Sequence, residues 1–341
     1  DLSILIDSLN LELISSFTEK YIKNPYGFLS AGIKINDNID NLQTNGEIAF
    51  HNAGFTINAT NTQYSFNDKI YIKPDEFYLR NFKIHDNKDN VFNVLGTIKH
   101  QNWKDFMVDL ATDFNNFIIL DNTSRLNGSI YGDASISGNV KAKGKLNDID
   151  VNADVSTNQG TDVTITVTTS KTASQKSFIT FVSNTDEQEN GQITANIPRS
   201  NSMAINAKAN ISDGTQINIV LPYNVGDMSI TGSGEITYNQ AKNGNYNMNG
   251  DYTVNSGEFR LNIDNFIRRN FTITKGGTII FNGAPSNALL DLQAVYQVKA
   301  SLQSIPTISD ESLAQQRVQV NCIINLSGSL YDTSITFDIE M

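Results

Sequence analysis

A chain of 341 residues carries 25 Lys and Arg against 36 Asp and Glu, for a net charge of −11 at pH 7. That acidic balance, without a clustered Lys/Arg stripe, repels phosphate backbones and argues against nucleic acid as a partner. A single cysteine, Cys322, rules out an intrachain disulfide, and the apolar runs are too short for a membrane-spanning helix.

Residues 1–9 alternate weakly and read as a strand. Residues 11–22 place Leu13, Ile14, Phe17, Tyr21 and Ile22 at helical spacing before Asn24-Pro25. They predict a short amphipathic helix whose apolar face caps the end of a sheet. From Gly27 onward strands dominate. The pattern predicts them over residues 30–35, 46–50, 55–60, 69–72, 77–84, 91–100 and 106–112. Residues 114–120 have mixed periodicity and fit either a turn of helix or an irregular strand. Further strands are expected over 129–137, 139–146, 149–156, 161–169, 177–182, 191–197, 203–211, 216–221, 228–230, 234–238, 246–254, 258–263, 271–274 and 278–281. Residues 317–326 and 334–341 close the series, and residues 310–316 suit one helical turn.

The most regular stretch is 288–302. Its even positions, from Ala288 to Leu302, are all apolar, whereas Asp291, Gln293, Gln297, Lys299 and Ser301 fall on the odd ones. Side chains alternate across a strand, so this is one strand with a greasy face and a wet face, about 50 Å long at ~3.3 Å per residue. Asn-Gly and Asp-Gly pairs (45–46, 127–128, 190–191, 213–214, 243–244, 249–250, 282–283) suit tight hairpins. Neighbouring strands are therefore expected to pair mostly antiparallel. A loose repeat of Gly, strand, polar turn and strand recurs, as in LSGSLYDTSITFDIEM, and each unit needs a neighbour to bury its apolar face. No composition break divides the chain. It begins at Asp1 and ends in strand-like sequence, so we read it as a fragment of a longer protein.

Catalytic constellations are absent from the pattern. His51, His85 and His100 lie in different segments without metal-ligand spacing, and Gly276-Gly277 reads as a hairpin rather than a phosphate loop. The DNKDN segment at 86–90 has calcium-loop composition but no following Gly or distal Glu, so a solvated turn is expected. Cys322 reads as a small buried hydrophobe. No enzyme activity and no cofactor are expected. What remains is the apolar face, which suits either the core of a closed sandwich or an open groove that acyl chains would cover.

The stretch GEFRLNIDNFIRRNFTITKGGTIIFNGAPSNALLDLQAVYQVKASL at 257–302, a strand ending in a basic pair followed by GGTI-x-F-x-G-x-P-x-NA-x-L-D, resembles the C-terminal domain of the TamB family. The tail RVQVNCIINLSGSLYDTSITFDIEM is similar to the segment that follows it. The resemblance is strongest over 250–341 and is of the Bacteroidota type. It implies an all-β fold: a long, curled, mostly antiparallel sheet forming a hydrophobic trough (a β-taco), to which the periodicity of residues 11–22 adds a short N-terminal helix. Residues 1–341 would then be a fragment of an elongated periplasmic β-taco. The implied protein is a non-enzymatic bridge between inner and outer membranes. It would hold phospholipid acyl chains and support outer-membrane lipid transport and protein assembly, as AsmA-like bridge-like lipid transfer proteins do. Its implied partners are phospholipid, a BamA- or TamA-type outer-membrane barrel, and the inner membrane through an N-terminal helix outside this chain. On that reading Leu290, Leu292, Ala294, Tyr296, Val298, Ala300, Leu302, Val318, Val320, Ile324 and Leu326, together with Cys322, would line the lipid groove. The alternative is an edge-strand module at 322–341 that docks on the barrel or its clients.

Overall fold

A computed structural model describes residues 2–36, 43–122, 130–167, 202–263, 267–301 and 317–341. Among the described residues nineteen strands form one sheet. They are β1 (Leu2–Asn10), β2 (Ile22–Asn36), β3 (Gln43–Ile57), β4 (Gln63–Phe66), β5 (Lys69–Lys73), β6 (Glu76–His85), β7 (Val91–Gln101), β8 (Lys104–Asn122), β9 (Ile130–Lys145) and β10 (Asp148–Thr157). There follow β11 (Asp162–Thr166), β12 (Ser202–Val220), β13 (Gly226–Gln240), β14 (Tyr246–Ile263), β15 (Ile267–Ile273), β16 (Thr278–Gly283), β17 (Leu289–Ser301), β18 (Arg317–Ser329) and β19 (Thr333–Glu340).

Each strand pairs with the next in an antiparallel meander, except that β4 with β5, β10 with β11, and β15 with β16 act as split halves of one strand. One exception breaks the meander: β10 and β11 run parallel to β12. The expected strands 177–182 and 191–197 and the expected turn 310–316 lie outside the described residues.

Most expected strands form, but many are joined into longer ones. The expected pairs 46–50 with 55–60, 203–211 with 216–221, 228–230 with 234–238, and 246–254 with 258–263 each form one strand. Among the described Asn-Gly and Asp-Gly pairs, Asn243-Gly244 makes a hairpin, with Gly244 N–H donating to Ala241 O at 2.9 Å. Asn45-Gly46 and Asn249-Gly250 sit inside strands. Asp213-Gly214 lies in a bulge of β12, where the pairing with β13 slips between Ile211 and Thr215. Gly250 has φ 134° and a Cβ there would collide with Glu235 O of the paired strand, so that glycine serves close backbone approach rather than a turn.

Bulges recur on strand after strand. Non-glycine residues at positive φ include Asn24 (51°), Asn52 (46°), Asn81 (61°) and Asn116 (54°), all inside strands. Asparagine tolerates this left-handed backbone because its short side chain bonds locally. The bulge on β8 also explains the mixed periodicity of 114–120: register slips between Phe114 and Phe117 and again between Ile118 and Leu120. Each slip moves the pattern by one residue, so Phe114, Phe117 and Leu120 all end up buried at a spacing of three.

In register, the bulges and the splits between half-strands line up across the sheet. Their polar side chains knit neighbouring strands together. Ser137 Oγ lies 2.8 Å from Asn115 Oδ1 and 2.9 Å from Asn158 Oδ1, within reach to donate its one proton to either. Ser212 Oγ donates to Thr157 O at 2.6 Å, and Asn255 Nδ2 donates to Asp213 Oδ1 at 2.7 Å. A bulged strand bends, so this polar seam is the line about which the sheet curls. Each long strand thereby has two limbs.

The N-terminal helix is shorter than its periodicity suggests. A 3-10 turn at Leu11–Ile14 leads into α1 (Ser15–Thr18), and Ile22 already pairs with Ile57 in the sheet. One turn of α-helix is marginal on its own, and strand pairing takes over the rest. Its apolar face does not cap the sheet: Leu11 is buried, but Leu13, Ile14 and Tyr21 are exposed and Phe17 is 87% exposed.

Candidate functional site

The inner face of the curled sheet is apolar in register. In the middle, Leu110 pairs with Ala142, Ala142 with Val151, Val151 with Ile205, and Ala207 with Tyr238. The row continues through Tyr252–Ile279, Ile279–Leu290, Leu292–Leu326 and Leu326–Ile335. Charged side chains take the opposite face, where Lys208 meets Glu235 at 2.9 Å and Lys143 meets Asp109 at 3.2 Å. Such exposed pairs add little stability but keep that face wet.

How deeply the inner face is buried changes along the sheet. Toward the N-terminus it is filled by aromatic rings: Phe50 packs edge-on against Phe66 at 5.1 Å, Tyr64 stacks on Phe117 at 5.1 Å and Phe92 on Phe114 at 4.9 Å. In the middle the side chains are small, and Val140, Ala142, Val151, Ala153, Val155, Ala207 and Ala209 are half-buried. Over β13–β18 the two limbs close on a dry core of Met228, Ile230, Tyr252, Val254, Phe259, Leu261, Phe271, Leu290 and Leu292, with Ile324 and Leu326.

Between the open middle and the closed end lies a cavity of about 480 Å³, within the usual range of small-ligand pockets. Ile165, Ile217 and Ile219 line it from one limb, and Ile236, Met248, Tyr252, Ile279 and Phe281 line it from the other. Walls from both limbs make it the interior of the fold rather than a surface dent.

The sequence-derived groove residues divide between core and rim. Leu290, Leu292, Ala294, Ile324 and Leu326 are fully packed, with Leu292 only 2% exposed, and Val320 is buried beside them. Tyr296, Val298, Ala300, Val318 and Cys322 are half-buried, further along the same face. Leu302 lies outside the described residues. Odd positions of β17 are mostly exposed, as the alternation requires: Asp291, Gln293, Gln297, Lys299 and Ser301 face solvent. The cavity-lining residues were not singled out from sequence. Their strands were legible, but which limbs would face each other was not.

Polar side chains also reach the apolar interior, Thr166 and Tyr252 among the cavity lining. Tyr252 is 1% exposed and its hydroxyl has no hydrogen-bond partner among the described residues. Burial pushes its pKa well above the usual phenol value, with the Asp213 carboxylate adding to the shift. An unpaired buried hydroxyl costs ~1–3 kcal/mol. Tyr252→Phe is therefore expected to stabilise the protein by about 1 kcal/mol, seen as a raised thermal midpoint; a lowered midpoint would mean the hydroxyl has a partner.

The polar candidates resolve into structural roles. The 86–90 segment is an ordered turn organised by Asp86, which is 4% exposed. Its carboxylate accepts from Lys88 N–H at 2.8 Å, from Asn90 N–H and Asn90 Nδ2 at 2.9 Å, and from Ile118 N–H of β8 at 2.9 Å. His51 Nε2 lies 2.8 Å from Ser30 Oγ, whereas His85 is 3.9 Å from Asp89. His100 is buried at the end of β7, stacked on Trp103, and desolvation lowers its pKa. Among the described residues no group of three or more His, Cys, Asp or Glu is placed to hold a metal ion. No described helix is long and apolar enough to cross a membrane.

Fold and site together define an all-β protein whose single curled sheet wraps an apolar interior. The chain belongs to the TamB family: the family's C-terminal domain matches residues 80–341. That family is a transport and assembly module of the Gram-negative envelope, involved in outer-membrane protein assembly and lipid transport. The match covers most of the chain and reaches well upstream of residue 250, where the sequence motifs are densest. No curated protein matches the chain.

Proposed function

We propose that this chain is a segment of a periplasmic β-taco that carries phospholipid acyl chains between the inner and outer membranes. The observation that carries the reading is the apolar-lined cavity between the two limbs, flanked by half-buried rows of small apolar side chains. Acyl chains would lie against those rows and against Tyr296, Val298, Ala300 and Val318, with Leu290, Leu292, Ala294, Val320, Ile324 and Leu326 as the packed floor beneath. Apolar surface half-open to water is stabilised when a lipid covers it, by about 25 cal/mol per Å². No step of this process needs a catalytic group. Membrane anchoring belongs, on this reading, to a segment outside the chain.

The test is a pair of photo-crosslinkers at Tyr296 and Gln297, on opposite faces of β17. Capture of phospholipid at Tyr296 and none at Gln297 is the expected result. Equal capture at both, or at neither, sinks the sided groove. Native mass spectrometry of the purified chain is expected to show co-purified phospholipid.

A second reading rests on β19. It pairs with β18 alone among the described strands, and Phe337, Ile339 and Met341 are exposed on the face that continues the apolar row. An edge strand with free backbone groups can be extended by a strand of a partner, here an outer-membrane barrel or its client.

A further inference from the structure

From β12 to β19 the inner face carries one charged side chain among the described residues, Arg269 of β15. Its position follows from register. Leu261 pairs with Arg269, Phe259 with Phe271 and Gly257 with Ile273, and Leu261, Phe259, Phe271 and Ile273 are all buried on the inner face. The rings of Phe271 and Tyr296 meet at 5.7 Å, so Arg269, two residues along β15, lies level with Val298 on β17. Val298, Ala300 and Val318 are half-buried there, whereas Arg269 is exposed. The guanidinium is anchored by donation from Nη1 to Arg268 O at 2.8 Å, and among the described residues it forms no ion pair.

Further cations stand at the same strand ends. Arg268 flanks Arg269, Lys299 lies on the outer face of β17, and Arg317 pairs with Ser301 at the start of β18. The described parts of these strand ends (267–270, 298–301 and 317–320) hold no acidic residue. Over these three stretches the charge is positive in a chain of net charge −11, and Asp338 and Glu340 lie alongside on β19. Leucine or valine would suit position 269 if the inner face served packing alone, and a guanidinium without an ion pair among the described residues gains nothing from Leu261 and Val298.

We propose that Arg269 binds the phosphate of a phospholipid whose acyl chains lie along Val298, Ala300 and Val318, with Lys299 and Arg317 adding positive potential at the rim. This rests on the acyl-chain reading above and narrows it: the rim selects lipids that carry phosphate over neutral ones. A guanidinium presents a planar fork of donors that matches phosphate oxygens, and such charge-assisted pairs are about twice as strong as neutral hydrogen bonds. Basic residues beside an apolar surface are also the usual arrangement for anionic head groups.

The test compares phosphatidylglycerol with diacylglycerol bearing the same chains, each offered to the purified chain and quantified by mass spectrometry after gel filtration. The wild type is expected to retain phosphatidylglycerol about tenfold better. Arg269→Leu is expected to lower phosphatidylglycerol to the diacylglycerol level while leaving diacylglycerol unchanged. Arg80→Leu, an exposed arginine on β6, is expected to change neither. Because Arg269 is exposed, its replacement leaves the core intact, which circular dichroism checks. Retained preference in Arg269→Leu, or equal binding of both lipids by the wild type, overturns the phosphate site and leaves the groove standing. Binding of neither lipid by the wild type overturns the groove itself.

Discussion

Leu292→Asp is expected to destabilise the protein by at least about 4 kcal/mol, enough to unfold the C-terminal strands at ambient temperature. Leu292 is 2% exposed and lies in the core formed by both limbs, paired across the sheet with Leu326. A carboxylate there loses the burial of a leucine and meets no donor. Because the core joins β12 through β18, the damage should spread beyond β17. The matching control is Gln297→Asp, five residues along the same strand on the exposed face, which is expected to change stability by less than about 0.5 kcal/mol. Urea unfolding followed by circular dichroism reads both. Similar losses for the two variants would contradict the sidedness of the strand.

Asp86→Ala is expected to cost about 3 kcal/mol or more, a large effect for a residue in a loop. Its carboxylate accepts four hydrogen bonds, and the one from Ile118 N–H ties the loop to the bulged part of β8. Ile118 is buried, so removing the acceptor leaves its amide without water. Asp86→Asn keeps one acceptor oxygen and should lose less. Hydrogen exchange at the Ile118 amide gives the local readout: it should speed up strongly in Asp86→Ala. Unchanged exchange would mean that β8 holds its bulge without the loop.

Asp86 also shows how composition can mislead. DNKDN carries the oxygen ligands of a calcium loop, but the side chain that counts is turned inward onto backbone amides. The reading as a turn holds, though the turn is tightly ordered around a buried carboxylate. Arg269 shows the converse. Its basic pair was visible as part of a family motif, and its meaning came only once Phe271 and Tyr296 fixed which face it occupies.

The alternation of side chains determined a great deal by itself. It marked nearly every described strand, assigned the faces of β17 correctly from Leu290 to Ser301, and with GGTIIFNGAPSNALLDLQAVY it pointed to the TamB family, to which the chain belongs. Period-two patterning is local, because each residue's face follows from its neighbours in the chain. What only the tertiary structure decided is where strands stop and which limbs oppose. Asn and Gly at positive φ permit a hairpin or a bulge equally well. The choice rests on whether the partner strand continues past them, which is set by residues far away in sequence. At Asn243-Gly244 it ends and the chain turns. At Asn116 and Asp213-Gly214 it continues, the strand bends, and two limbs come to face each other across Ile219, Tyr252 and Phe281. The same nonlocal opposition decides that Leu292 is sealed in a core while Val298 and Ala300, on the same face, stay partly open.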